Sequence, residues 1–152
     1  MIELDLLAYQ SQLDLRQRAG KRYIFDPIRQ KELVLTPEEL VRQLLIQYLQ
    51  HERRYPAARM AVEKLVRVNG LRKRCDLLIF DQATLPYLLV ECKRADVPIN
   101  AATFKQIAWY NMPLRVPYLL VTNGRHTYCC SMNYTEKNYR FLDAVPVFGT
   151  VD

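Results

Sequence analysis

Between Arg59 and Lys93 the chain alternates apolar, β-favouring runs with tight-turn signals, and no other stretch limits the fold as strongly. Residues 59–68 read as a strand, and Asn69-Gly70 is a two-residue hairpin signal, because both turn positions require positive φ. Residues 71–80 form a second expected strand. Asp81-Gln82-Ala83-Thr84-Leu85-Pro86 is a turn, and residues 87–93 form the third strand. Strand side chains alternate faces, which places Leu77, Ile79, Leu88 and Val90 on one side and Leu78, Phe80, Tyr87 and Leu89 on the other. A sheet apolar on both faces has to be covered on both faces.

The flanking segments supply that cover. Thr36 is a suitable N-cap, Pro37 occupies the first helical position, and Glu39 completes a capping box. The helix should run to about residue 50, with Val41, Leu44, Leu45 and Tyr48 as its apolar stripe. Glu38 lies on the side of that stripe and Glu39 does not. A second helix is expected over 101–111, capped by Asn100 and ended by Pro113, followed by a buried strand over 117–122 that stops at Asn123-Gly124. Residues 126–132 and 138–142 read as a terminal hairpin. Upstream, a helix is expected over 6–18, broken at Gly20, and then a short extended piece, Tyr23-Ile24-Phe25, ending at Asp26-Pro27. The order of helix, three-strand meander, helix and strand predicts an α/β fold with a mixed sheet flanked by helices, since a helical crossover returns a strand parallel to its neighbour. One domain over 1–152 is expected, with its core at about 36–125, a lead-in over 1–35 and the hairpin over 126–152.

At 152 residues, half of them hydrophobic, the chain is long enough to bury a core without covalent staples. Its four cysteines form no CxxC pair and only two histidines accompany them, which argues against a zinc site and a disulfide framework; Cys75 and Cys92 fall inside apolar strands as small core residues. No apolar run approaches the roughly 20 residues that cross a bilayer. The opening residues Met1-Ile2-Glu3-Leu4-Asp5 carry acids where a signal peptide needs a basic region, so no membrane partner and a cytoplasmic location are expected. The net charge of +6 favours a polyanionic partner.

Register turns these strands into a site. Glu91 and Lys93 point to one face while Cys92 points to the other. With 81–86 as the turn, 80 pairs with 87, 78 with 89 and 76 with 91, so Asp76 faces Glu91; facing Cβ atoms in such a pair lie roughly 4.5–5.5 Å apart. Across the Asn69-Gly70 turn, Glu63 falls opposite Asp76, giving a row of three acids over three strands. Two carboxylates about 4 Å apart repel by about 1 kcal/mol in water and about 4 kcal/mol at an effective dielectric near 20. A divalent cation makes such a row tolerable, and magnesium is typically held by one or two carboxylates plus substrate phosphate. Lys93 can orient a water or stabilise charge on a phosphate. The bland reading of the same residues is an ion-pair network in which Lys93 and Arg74 neutralise the acids.

The runs Arg74-Cys75-Asp76-Leu77-Leu78-Ile79-Phe80 and Leu88-Leu89-Val90-Glu91-Cys92-Lys93-Arg94 resemble the PD-(D/E)xK nuclease superfamily, with Cys75 in place of the proline. More narrowly, the chain resembles the N-terminal nuclease domain of type I restriction enzyme R subunits. Thr36-Pro37-Glu38-Glu39-Leu40-Val41-Arg42-Gln43 is similar to that group's opening helix, Gln106-Ile107-Ala108-Trp109-Tyr110 matches the QxxxY pattern of RecB-like nucleases, and Val121-Thr122-Asn123-Gly124 is similar to the strand end that follows. The resemblance spans about residues 22–125. It implies a restriction-endonuclease-like αβββαβ core and hydrolysis of DNA phosphodiesters with magnesium (or manganese). Asp76 and Glu91 would be metal ligands, joined by Glu38 or Glu39 from the opening helix, with Lys93 as the catalytic lysine. Gln106 and Tyr110 would support the site or touch DNA, and Arg74 and Arg94 would neutralise its phosphates. The chain carries no P-loop motor, so the expectation is a stand-alone nuclease-like domain acting alone, as a homodimer, or within a larger restriction or repair assembly. Two rivals remain: a catalytically inactive nucleic-acid-binding module that kept the fold, and a partner-binding domain whose apolar patch is the tail Tyr128, Tyr134, Tyr139 and Phe141.

Overall fold

The computed structural model describes residues 1–149, apart from the side chains of Val68 and Leu71. A strand β1 (Asp14–Arg18), β2 (Lys21–Asp26) and β3 (Lys31–Val34) form a three-stranded antiparallel sheet ahead of helix α1 (Pro37–Arg53). Then come β4 (Met60–Val68), β5 (Leu71–Phe80), β6 (Pro86–Cys92), helix α2 (Ala101–Asn111), β7 (Tyr118–Thr122), β8 (Thr127–Asn133) and β9 (Asn138–Phe141). These six strands lie side by side in chain order as one mixed sheet, in which only the β6–β7 pair, joined through α2, is parallel.

The sheet is covered on both faces. Leu44, Leu45 and Tyr48 of α1 pack on Leu77, Ile79, Leu88, Val90 and Leu120; Phe104 and Ala108 of α2 pack on Leu78, Leu89, Leu119 and Val121. Cys75, Cys92, Cys129 and Cys130 are all buried and free. The tail aromatics cluster at the edge of the α2-side core: Tyr128, Tyr139 and Phe141 ring Phe104 at centroid distances of 5.9, 5.4 and 5.1 Å, the first two half-buried and Phe141 43% exposed, and the half-buried Tyr134 donates its hydroxyl to the Val116 carbonyl at 2.5 Å. No helix among the described residues is long and apolar enough to cross a membrane.

Four local expectations differ. The lead-in helix over 6–18 is instead a 3₁₀ segment, Leu6–Gln12, followed by β1. Gly20 does not break a helix; Ala19 and Gly20, at φ +50° and +78°, make a hairpin turn like Asn69-Gly70, at +51° and +78°. Helix α1 continues past residue 50 to Arg53, because the polar end is tied back to its own preceding turn: His51 bonds Gln47 at 3.1 Å and the Arg53 Nε donates to the Tyr48 hydroxyl at 2.9 Å. Finally, Phe80 pairs with Pro86, not Tyr87, through a bulge after Ile79.

Candidate active site

The registers derived from the turns hold where they matter. Leu77 pairs with Val90 and Leu78 with Leu89, one step from the expected Asp76–Glu91 pair. Val62 pairs with Leu77 and Lys64 with Cys75, which puts Glu63 level with Asp76. The alternation of faces breaks at this level in both strands. Met60 and Val62 belong to the α1-side core, whereas Val66 belongs to the α2-side core; Leu77 lies on the α1 side while Cys75 lies on the α2 side. Glu63 sits at the switch with φ +52°, a left-handed conformation that costs a residue with a Cβ on the order of 1–2 kcal/mol.

The β5–β6 ladder ends at Leu77–Val90, and the Asp76 side chain caps that end: its Oδ2 accepts the Cys92 backbone N–H at 2.7 Å. Its Oδ1 faces the Arg42 guanidinium at 3.4 Å. Glu91, largely withdrawn from water, has its pKa pushed up to about 8, first by burial and then by the charge of Asp76 and a hydrogen bond to it. Lys93 opposes this shift and Glu38 adds to it, so both charges reach the pair. Asp76, Glu91, Lys93 and Glu38 therefore share one electrostatic site.

Glu39 and Glu63 are drawn elsewhere. Glu39 is buried, and it does not close the capping box. Thr36 Oγ1 accepts the Glu39 N–H at 3.1 Å, but the Glu39 carboxylate takes Arg29 at 2.6 Å, Arg42 at 3.1 Å and Gln43 at 3.1 Å. Glu63 lies 3.5 Å from both Arg29 and Arg42. The row of three acids is thus a close pair, with the third acid turned to arginine; among the described residues no group of three or more His, Cys, Asp or Glu side chains is placed to hold a metal ion together. The pair itself still fits a hard divalent cation, which one or two carboxylates with water and phosphate satisfy. Its donors are all oxygen, they already repel one another, and Glu91 gives up its proton only against that repulsion.

Two arginines and one aspartate escaped the reading of the sequence. Arg42 is 3% exposed, contacts Glu38, Glu39, Glu63 and Asp76 within 3.1–3.6 Å, and its Nε has no hydrogen-bond partner among the described residues. Its spacing of three and four from Glu39 and Glu38 on one helix was a legible signal. Arg29 had none: it is delivered by the β2–β3 turn, where the fully buried Asp26 accepts the Ile28 and Arg29 backbone N–H groups at 2.7 and 3.2 Å and pairs with the Arg29 Nε. Arg29, Lys31, Glu38, Arg42, Glu63 and Arg94 line a cavity of about 580 Å³, so Arg42 stands between that cleft and Asp76. Arg94 is held to Asp96 at 3.0 and 3.1 Å. Arg74 is exposed on β5. Gln106 and Tyr110 lie on the outer side of α2, where Lys73 sits over the Tyr110 ring at 4.1 Å and donates to its carbonyl; neither touches an acid of the pair.

Residues 37–146, from the start of α1 to beyond the last strand, match the family described as type I restriction enzyme R protein N terminus (HSDR_N). The chain belongs to this family. Its fold is also that of a solved fragment described as an HsdR subunit of a type I restriction enzyme from Vibrio vulnificus YJ016, with a TM-score of 0.51 and 20% identity over 74% of this chain. The chain spans 24% of that structure's length. No curated protein matches it. The R-subunit N-terminal family is thus present as a mixed, restriction-endonuclease-like α/β unit, and the sheet β1–β3 precedes the part that the family shares.

Proposed function

We propose that this chain is a magnesium- or manganese-dependent nuclease that hydrolyses DNA phosphodiester bonds in a restriction, defence or repair system. One observation carries the reading: Asp76 and Glu91, from adjacent strands, meet at the end of a ladder with Glu91 held protonated up to about pH 8 by burial and by its neighbour. Half-buried acids in such contact are unfavourable in a purely structural role. Asp76 and Glu91 would hold the cation, and Glu38 is the acid from α1 whose charge reaches Glu91. Glu39 and Glu63 keep Arg29 and Arg42 in place. Bound between the Asp76 and Glu91 carboxylates, a divalent ion would supply Lewis-acid polarisation of the phosphate and a more acidic water. The Cys92 N–H and Arg42 fix both oxygens of Asp76, so its carboxylate presents one orientation. Lys93, one residue past the end of β6 and with its charge reaching Glu91, stabilises the charge that grows on the phosphate. Arg74 and Arg94 neutralise flanking phosphates without reading sequence, and Gln106 and Tyr110 contact the nucleic acid.

The test is cleavage of linear, nicked, branched and single-stranded DNA with magnesium or manganese. Asp76→Ala and Lys93→Ala should lose cleavage while keeping the parent's circular dichroism. A Lys93→Ala protein that cuts as fast as the parent removes the assignment. A second reading, an inactive module that retains the fold, is favoured by one observation, the engagement of Asp76 by Arg42. Calorimetry separates the two: the nuclease binds manganese with a heat that Asp76→Ala abolishes, and the inactive module gives none.

A further inference from the structure

Helix α2 carries a solvent-facing stripe that the sheet does not use. Phe104, Ala108 and Asn111 are buried, which leaves Lys105, Gln106, Trp109 and Tyr110 outside, and the two aromatic residues are 49% and 62% exposed. At a spacing of four, Lys105 neighbours Trp109 and Gln106 neighbours Tyr110. Aromatic rings of this size usually bury most of their surface, so two adjacent exposed ones mark a place where a flat partner can stack.

The surroundings are basic. Residues 64–75 and 97–135 contain no Asp or Glu. Arg115 and Lys137 line a concavity of about 650 Å³ with Asn69 and Trp109. Among the described residues, Lys105, Arg115 and Lys137 enter no ion pair, whereas the arginines at the cleft are all paired. Uncompensated cations bordering exposed rings suit a chain with both phosphates and free base faces. A duplex offers only the phosphates, because its base faces are stacked on each other.

We infer that the outer stripe of α2 and its adjoining concavity bind single-stranded DNA, with bases stacked on Trp109 and Tyr110 and phosphates neutralised by Lys105, Arg115 and Lys137. Lys73, three residues before Asp76 and seated on the Tyr110 ring, links this platform to the strand that carries the acid pair. The inference names the substrate form for the proposed nuclease and rests on that reading for cleavage, while the binding itself needs no metal.

Trp109 is the sole tryptophan, so its fluorescence reports on this surface alone. The full chain, in EDTA, is titrated with a labelled oligo(dT), with a duplex of equal length, and with oligo(U). The single strand should quench Trp109 and bind at least about tenfold more tightly than the duplex, which leaves the fluorescence unchanged. By anisotropy, Trp109→Ala and Tyr110→Ala should each weaken oligo(dT) binding between about 5- and 150-fold, the range one stacked base contributes. Lys105→Ala should lower the slope of log affinity on log salt by about 0.7. Both aromatic positions are exposed, and an unchanged melting temperature checks that the variants fold. Equal binding of duplex and single strand with no quenching, full affinity in Trp109→Ala, or tighter binding of oligo(U) each overturns the inference. Asp76→Ala should bind oligo(dT) like the parent, so loss of cleavage there with binding intact bears on the nuclease alone. A parent that cuts DNA while Trp109→Ala binds normally refutes the platform and leaves the nuclease standing.

Discussion

Glu91→Gln is expected to stabilise the metal-free protein at high pH. Glutamine keeps the shape of the protonated side chain and cannot ionise. In the parent, Glu91 titrates at about 8 in the folded state, against an ordinary value of 4.5. The folded state therefore binds the proton more tightly than the unfolded chain. Stability contributed by this group is intact below about pH 4.5, falls as pH rises from there to about 8, and levels off above. At 1.36 kcal/mol per pKa unit the full loss is about 5 kcal/mol. Water entering beside Lys93 lowers it, and about 2 kcal/mol is the expected gain at pH 9, or roughly 4–8 °C in melting temperature for a chain of this size. The assay is thermal unfolding of parent and variant in EDTA from pH 5 to 9, read as a difference so that other titrations cancel. The two curves should meet near pH 5 and separate steadily toward pH 8. A variant less stable than the parent at every pH, or a difference independent of pH, refutes the reasoning that Glu91 is destabilised by Asp76 and by burial.

Other consequences follow from the same contacts. Arg42→Ala takes the guanidinium from Asp76 and leaves Glu39 with Arg29 alone, and should cost about 3 kcal/mol in urea unfolding, with Arg42→Lys recovering part of it. Manganese at a hundred times its dissociation constant should raise stability by about 2.7 kcal/mol, a melting shift that Asp76→Ala removes and that grows with pH up to about 8, because Glu91 must release its proton to bind. Gly124→Ala should destabilise by about 1–2 kcal/mol, since φ is +88° there and the added Cβ would press to 3.3 Å from the Val41 Cγ2 beside Arg42; unchanged thermal unfolding would refute the strain at this turn.

What was legible in the sequence is what short-range chemistry encodes. Thr36-Pro37 set the start of α1, Asn69-Gly70 set the β4–β5 register, and alternating leucines announced a sheet covered on both faces. Because turn length fixes register and register fixes facing, the turns alone bring Asp76 level with Glu91. The same logic placed Glu63 level with Asp76 but failed on where it points, since it assumed unbroken alternation through a residue at positive φ. Ala19-Gly20 was misread for want of apolar alternation around it: β1 is exposed at every position and carries no pattern of its own.

The charge partners, by contrast, come from long-range packing. Arg29 reaches Glu39 and Glu63 from ten and thirty-four positions away in the chain, delivered by a turn that Asp26 closes. Arg42 meets Asp76 because α1 lies across the end of a strand that follows it by thirty-four residues. Local sequence determines which backbone shapes are cheap, through sterics and hydrogen bonds within a few residues. Which acid meets a cation and which meets another acid depends on distances set by packing whole elements together, and Coulomb energies turn on those distances. Local sequence thus encodes the strands and register that bring Asp76 level with Glu91, and packing assigns Arg42 to Asp76 and turns Glu39 and Glu63 to arginine.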